Sequence, residues 1–119
     1  MQIHQSAEDY LETILMLTQR MGKVRSIDVV NELGFTKASV SIAMKKLREN
    51  GYIAVDGEGN LTLLEPGREI AERIYSRHRL LTHFFIQLGV DEKTAAEDAC
   101  KAEHILSEQT LEKIREQAL

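Results

Sequence analysis

The sequence predicts a mainly α-helical chain with one small β-hairpin, and three observations lead there. Apolar residues recur at three- and four-residue spacing through most of the chain, which is the mark of amphipathic helices. Gly22, Gly34, Gly51 and Gly89 each stand where such a pattern stops. Strand composition occurs in one place, as Tyr52-Ile53-Ala54-Val55 and Leu61-Thr62-Leu63-Leu64 on either side of the turn-rich Asp56-Gly57-Glu58-Gly59-Asn60.

The chain has 119 residues, 43% of them hydrophobic, enough for one ordinary domain or two small cooperating ones. No apolar run approaches the roughly 18 residues of a membrane span. The first ten residues also lack the basic-then-apolar form of a secretory signal, so a soluble cytoplasmic protein with no membrane partner is expected. A single Cys excludes an internal disulfide, and in a reducing compartment it implies a thiol or a metal thiolate. The net charge of -4 argues against indiscriminate coating of nucleic acid, but a basic surplus is concentrated locally. From Lys37 to Gly51 the charges are Lys37, Lys45, Lys46 and Arg48 against Glu49 alone, whereas acidic residues prevail from Phe84 onward.

In chain order, the first helix is expected from Ser6 to about Gln19, with Tyr10, Leu11, Ile14, Leu15 and Leu17 on its apolar stripe. Ser6 and Asp9 have the spacing of a capping box. Asp9 and Glu12 flank the stripe three residues apart, so they read either as cap and solvated acid or as a carboxylate pair. A short second helix runs from Ser26, an expected N-cap, to Leu33. Thr36 caps a third, Lys37 to Asn50. Two short helices joined by a tight glycine-containing turn form a helix-turn-helix pattern.

Val40, Ala43, Met44 and Leu47 would face inward on the third helix, which puts Ala38, Ser41, Ile42 and Lys45 outward. With Thr36, Lys37 and Ser39 at its start, this face is small, polar or basic, as a helix entering the major groove requires. A plain amphipathic helix with solvated lysines would look similar. The hairpin that follows at once makes the order that of a winged helix, with a DNA-binding domain expected over residues 1–65.

Pro66, the single proline, sits in the first turn of a long helix reaching about Leu88. Its apolar set is Ile70, Ala71, Ile74, Leu80, Leu81, Phe84, Phe85 and Leu88. His78 lies between Arg77 and Arg79 and is either solvated or a ligand. Asp91 caps the next helix, where Ala95, Ala96, Ala99 and Ala102 allow close packing. Ser107 caps the last, Glu108 to about Ala118, with Leu111 and Ile114 inward. Residues 66–119 are thus a helical second domain.

Cys100, Glu103 and His104 share one helical face at i, i+3 and i+4. A thiol, a carboxylate and an imidazole that converge make a site for a divalent transition metal. Beside this stands the plainer reading of a small buried thiol next to a solvated Glu-His pair. Catalytic patterns are missing: there is no His-Glu-x-x-His, no Ser/His/Asp arrangement and no phosphate-cradling glycine loop, so an enzyme is not expected.

The motifs Glu8-Asp9-Tyr10-Leu11-Glu12, Arg77-His78-Arg79-Leu80-Leu81 and Ala99-Cys100-Lys101-Ala102-Glu103-His104-Ile105-Leu106-Ser107, with Leu61-Thr62 in the wing, resemble the metal-dependent repressors of the diphtheria toxin repressor and manganese transport regulator type. The resemblance covers essentially the whole chain. It implies a metal-gated repressor of metal-uptake genes with ligands at Asp9, Glu12, His78, Cys100, Glu103 and His104. It also implies a homodimer on a pseudo-palindromic double-stranded operator, with an interface through Phe84, Phe85, Leu88, Leu106 and Leu111.

Two branches mix in the chain: Asp9 and Glu12 look like the manganese branch and Cys100 like the iron branch. Fe(II) or Mn(II) is therefore the expected cofactor, and Zn(II), Co(II) or Ni(II) would substitute in vitro. Thr82 and Ala96 stand where the iron branch completes a second metal site, so a second ion would have to use His78 and Glu12. Larger members continue past this point into a small barrel-like domain, so the chain resembles a compact form. A metal-independent winged-helix regulator and a thiol redox sensor built on Cys100 are the alternative readings.

Overall fold

The computed structural model describes residues 5–119, which form two compact units, one ending at Glu72 and the other running from Arg73 to Leu119. The elements are α1 (Gln5–Met21), α2 (Ser26–Leu33), α3 (Lys37–Glu49), β1 (Ile53–Val55), β2 (Leu61–Leu63), α4 (Glu65–Gln87), α5 (Glu92–Ala102) and α6 (Glu108–Gln117).

In the first unit α1 packs on α2, α3 and β2, and α3 packs on α2 and β1. The core is Leu11, Ile14, Val24, Val29, Val40, Met44, Leu47, Ile53, Leu61 and Leu63. Those on α1 and α3 are positions that helical periodicity marks as inward, whereas on α2 Val29 is buried and Ile27, which the apolar spacing of that helix includes with Val30 and Leu33, is 43% exposed. Tyr10 adds an edge-on contact with Phe35, ring centroids 5.9 Å apart, which ties α1 to the turn between α2 and α3. Gly34, at φ 71°, ends α2 in the left-handed conformation and donates its N–H to the Val30 carbonyl. Thr36 caps α3 as expected, its hydroxyl accepting from the Ser39 N–H at 3.1 Å.

Two caps differ from expectation. Ser6 lies inside α1, so the cap of that helix falls outside the described residues. At α2 the N-cap is Arg25, whose N–H donates to the Asp28 carboxylate at 2.8 Å, and Ser26 is already the first helical residue.

The hairpin pairs Ile53 with Leu63, Ala54 with Thr62 and Val55 with Leu61, antiparallel. A further pairing is invisible in the sequence: Arg25 bridges Asn60, and the Leu61 N–H donates to the Val24 carbonyl at 2.7 Å. The segment before α2 therefore braces the wing. Where α4 begins, Gly67 comes so close to the Tyr52 carbonyl that a Cβ would stand 2.2 Å from its oxygen, so no larger residue fits without movement.

In the second unit Leu81 of α4, Ala99 of α5 and Leu111 of α6 form the core, with Leu80, Phe85, Ala102, Leu106 and Ile114 packed against it. The small Ala95 and Ala99, both fully buried, let α5 approach closely. Asp91 caps α5 by accepting from the Thr94 N–H at 3.3 Å, and Ser107 caps α6 by accepting from the Thr110 N–H at 3.1 Å. α5 stops at Ala102, one residue before the polar pair expected on its face: Glu103 is the C-cap, and Glu103, His104 and Ile105 form the turn to α6.

Candidate metal centre and nucleic-acid interface

The outward face of α3 is as the periodicity implies. Lys37, Ala38, Ser39, Ser41, Ile42 and Lys45 are exposed, as is Thr36 before them, while Val40, Met44 and Leu47 are buried. Ile42 is 58% exposed in the middle of a polar face, where an apolar side chain gains nothing from water but could meet a thymine methyl.

Beside this helix the wing is stiffened by Asp56. Its carboxylate accepts from the Asn60 N–H at 2.8 Å, from the Asn60 side-chain amide at 3.0 Å and from the Glu58 N–H at 2.9 Å. The bonds from Asn60, then that from Glu58 and the charge of Lys23, hold its pKa below the usual carboxylate value. Sequence reasoning missed Arg25 here. Its guanidinium lies against Gly59, where a Cβ would be 3.3 Å from Nη2, so a cation sits on the wing turn. Only a long-range contact puts it there, and no local pattern could have signalled it.

The expected metal ligands fall on three segments. Asp9 and Glu12 are on α1, Asp9 half-buried and Glu12 buried, and Glu12 is thus not the solvated acid that a plain amphipathic helix would carry. The charge of Asp9, after burial itself, raises the pKa of the neighbouring Tyr10 phenol.

The other four expected ligands are in the second unit, where Glu103 is the centre of the arrangement. It is completely buried, with Oε2 2.9 Å from His78 Nδ1 and Oε1 3.4 Å from His104 Nε2. Oε1 accepts no hydrogen bond among the described residues. Carboxylates are almost never buried without compensation. An imidazole nitrogen beside each oxygen makes this one a fit for a shared divalent cation.

Cys100 differs from the other expected ligands. It is exposed, and it belongs to no set of three ligand atoms mutually within 4.8 Å among the described residues. The i, i+3, i+4 spacing thus does not bring the thiol, the carboxylate and the imidazole into one tight cluster among the described residues. Thr82, at the second-site position, holds its hydroxyl buried without a hydrogen bond among the described residues, and Ala96 is half-buried.

Of the residues expected at a dimer face, Leu88 is 64% exposed, and Phe84 and Phe85 are half-buried with tilted rings 6.5 Å apart. Leu106 packs on the unit's core, and Leu111, 1% exposed, is inside it and is a core residue of its own chain rather than an interface one. Ile105, 75% exposed in the turn, is an apolar surface residue that the helical reading did not single out.

Comparison with known proteins bears on both halves. Residues 2–61 match the model for the iron-dependent repressor N-terminal DNA-binding domain, and residues 64–118 match that for the iron-dependent repressor metal-binding and dimerisation domain. The chain belongs to the iron-dependent repressor family.

An uncharacterized HTH-type transcriptional regulator of Methanocaldococcus jannaschii is 37% identical over 113 residues, covering 93% of this chain and 90% of the relative. The HTH-type transcriptional regulator MntR of Bacillus subtilis is 34% identical over 109 residues, 92% of this chain and 77% of its own. Among solved structures, a manganese-dependent transcriptional repressor in complex with manganese superposes with a TM-score of 0.85 at 28% identity over 93% of this chain. The manganese regulator SloR does so at 0.80 and 26% over 92%. The chain spans about half the length of these two solved chains. As a member of that family it is a winged-helix, metal-dependent regulator of transcription with a DNA-binding half and a metal-binding and dimerisation half. No helix among the described residues is long and apolar enough to cross a membrane.

Proposed function

We propose that Asp9, Glu12, His78, Cys100, Glu103 and His104 are the metal ligands, and that metal binding gates DNA binding by a cytoplasmic repressor of metal-uptake genes that has no enzymatic activity. The observation that carries this reading is the buried Glu103 carboxylate with His78 on one oxygen and His104 on the other. When bound, Fe(II) or Mn(II) supplies the positive charge that these donors share.

Asp9 and Glu12 belong to the helix that underlies the winged domain. His78, Cys100, Glu103 and His104 belong to the helical one. Ligands from both segments on one ion would fasten the two together with a binding free energy that the metal-free chain lacks. A two-fold dimer has to present its recognition helices to major grooves about 34 Å apart or a multiple of that spacing. Fixing the winged domain therefore raises affinity for a pseudo-palindromic operator, and by reciprocity DNA tightens metal binding. Three carboxylates brought to one ion would repel one another without it, which would loosen the metal-free state.

The donor set also bears on the metal. Carboxylates and imidazoles suit both Mn(II) and Fe(II), while the Cys100 thiolate adds a preference for the softer ion. Anaerobic titration of DNA binding with Fe(II), Mn(II) and Zn(II), with Cys100→Ala in parallel, tests the reading. Affinity should rise with Fe(II) or Mn(II), and the variant should shift toward Mn(II). Equal DNA binding in the presence of a chelator would refute it.

A further inference from the structure

We propose that Arg77 is a positioning residue for the metal centre: its guanidinium fixes the turn that carries Glu103 and His104, holding Glu103 by its main chain while His78 faces the carboxylate of the same residue. The inference rests on the reading of Glu103 as a ligand.

Glu103, His104 and Ile105 lie past the end of α5 and before the cap of α6, where the helical ladder runs out. The Glu103 N–H still reaches the Ala99 carbonyl at 2.9 Å, but its own carbonyl projects beyond the helix, where no further turn supplies a donor. Arg77 Nη1 donates to that carbonyl at 3.2 Å. The other arm of the guanidinium, Nη2, pairs with the Glu108 carboxylate in the first turn of α6. One planar fork on α4 thus joins the end of α5 to the start of α6, a task suited to a rigid guanidinium rather than to an ammonium.

The Arg77 side chain is only 14% exposed, whereas that of Glu108 is 77% exposed. The fork is therefore embedded and its outer partner is free to be changed without disturbing the core. Consecutive residues of α4 grip Glu103 at two points: Arg77 at the carbonyl, and His78 Nδ1 2.9 Å from Oε2. A ligand shell must hold its donors to about 0.5 Å. Removing an outer partner of this kind typically weakens metal binding by about 10- to 100-fold.

The test is calorimetric titration of Mn(II) and Zn(II) into the full chain as wild type, Arg77→Met, Arg77→Lys, Glu108→Gln and Glu103→Gln, with the metal-free melting temperature of each. Arg77→Met should weaken Mn(II) binding about 10- to 100-fold and alter the Mn(II)-to-Zn(II) affinity ratio. Arg77→Lys should recover part of the loss, since an ammonium reaches one acceptor at a time. Glu108→Gln, an exposed change that spares the fold, should weaken binding several-fold.

A merely structural role would lower the melting temperature and the binding-competent fraction while leaving the Kd and the metal ratio of the folded protein unchanged. Wild-type Kd values in Arg77→Lys and Glu108→Gln, and in Arg77→Met if it folds, would overturn the proposal. Glu103→Gln separates the two levels of argument. If it too binds Mn(II) like the wild type, the assignment of Glu103 as ligand fails. If it alone loses binding, the assignment stands and the role of Arg77 falls.

Discussion

In the unit that ends at Glu72 the fully buried side chains include Leu11, Ile14, Val24, Val29, Val40, Leu47 and Ile53, while Ser41, Ile42 and Lys45 stand in solvent. In the unit that follows, the Glu103 carboxylate is as buried as Leu81. Reading DNA needs side chains that water already covers and that a groove can take over. Holding a cation needs donors whose water has been removed. In the winged unit, then, stability and recognition rest on different residues, with Glu12 as the exception. In the helical unit they meet at one side chain. Substitutions on the α3 surface should therefore alter function and leave stability alone, whereas those near Glu103 should trade one against the other.

The largest effect that would sharpen this contrast is in the core of the helical unit. Leu111→Ala should cost about 2–5 kcal/mol in urea unfolding, because three helices meet at that side chain and cannot all close the gap. Gly67→Ala should destabilise the winged unit by about 1–3 kcal/mol, since the new Cβ meets the Tyr52 carbonyl and the backbone has to shift.

A surface change breaks the pattern if it behaves like a core one. Lys45→Ala should weaken binding about equally across DNA sequences and reduce the slope of log affinity against log salt by about 1, with the melting temperature unmoved. A fall in stability on that substitution would mean that the α3 face is structural.

The smallest effect is in the wing. The folded pKa of Asp56 is depressed by the bonds from Asn60 and Glu58 and by Lys23, so its contribution is present above the ordinary carboxylate pKa. That contribution is lost as pH falls through the lowered folded value. Protection of the Asn60 amide from exchange, relative to an unstructured amide at the same pH, should accordingly persist at neutral pH and fall away as the pH drops through the lowered carboxylate value, and Asp56→Ala should abolish that loss of protection.

Particular residues explain which features were legible. The caps at Thr36, Asp91 and Ser107 follow from a short polar side chain meeting a free N–H two or three residues on, a purely local interaction. At α2 the same rule pointed to Ser26, yet the Asp28 carboxylate takes the Arg25 N–H and starts the helix at Ser26. The bridge from Arg25 to Asn60 depends on residues 35 apart and leaves no trace in composition. Around the proposed metal centre, the chemistry of Glu103 and His104 was legible but their setting was not. Helical periodicity runs on through Glu103, whereas the chain must turn to let Ser107 cap α6. Glu103 keeps the helical backbone conformation as the last residue that α5 orients, and its carboxylate meets His78, while Cys100 is exposed on α5.

The central claim is that burial of Glu103 serves a cation and not the fold, and replacing it by Gln tests this most directly when metal-free stability and Mn(II)-dependent DNA affinity are measured on the same sample. The account predicts a metal-free protein at least as stable as the wild type, because a buried carboxylate whose Oε1 accepts no hydrogen bond among the described residues has been removed, together with loss of about 100-fold or more of the metal-induced gain in DNA affinity. A destabilised protein whose DNA binding still responds fully to Mn(II) would contradict it.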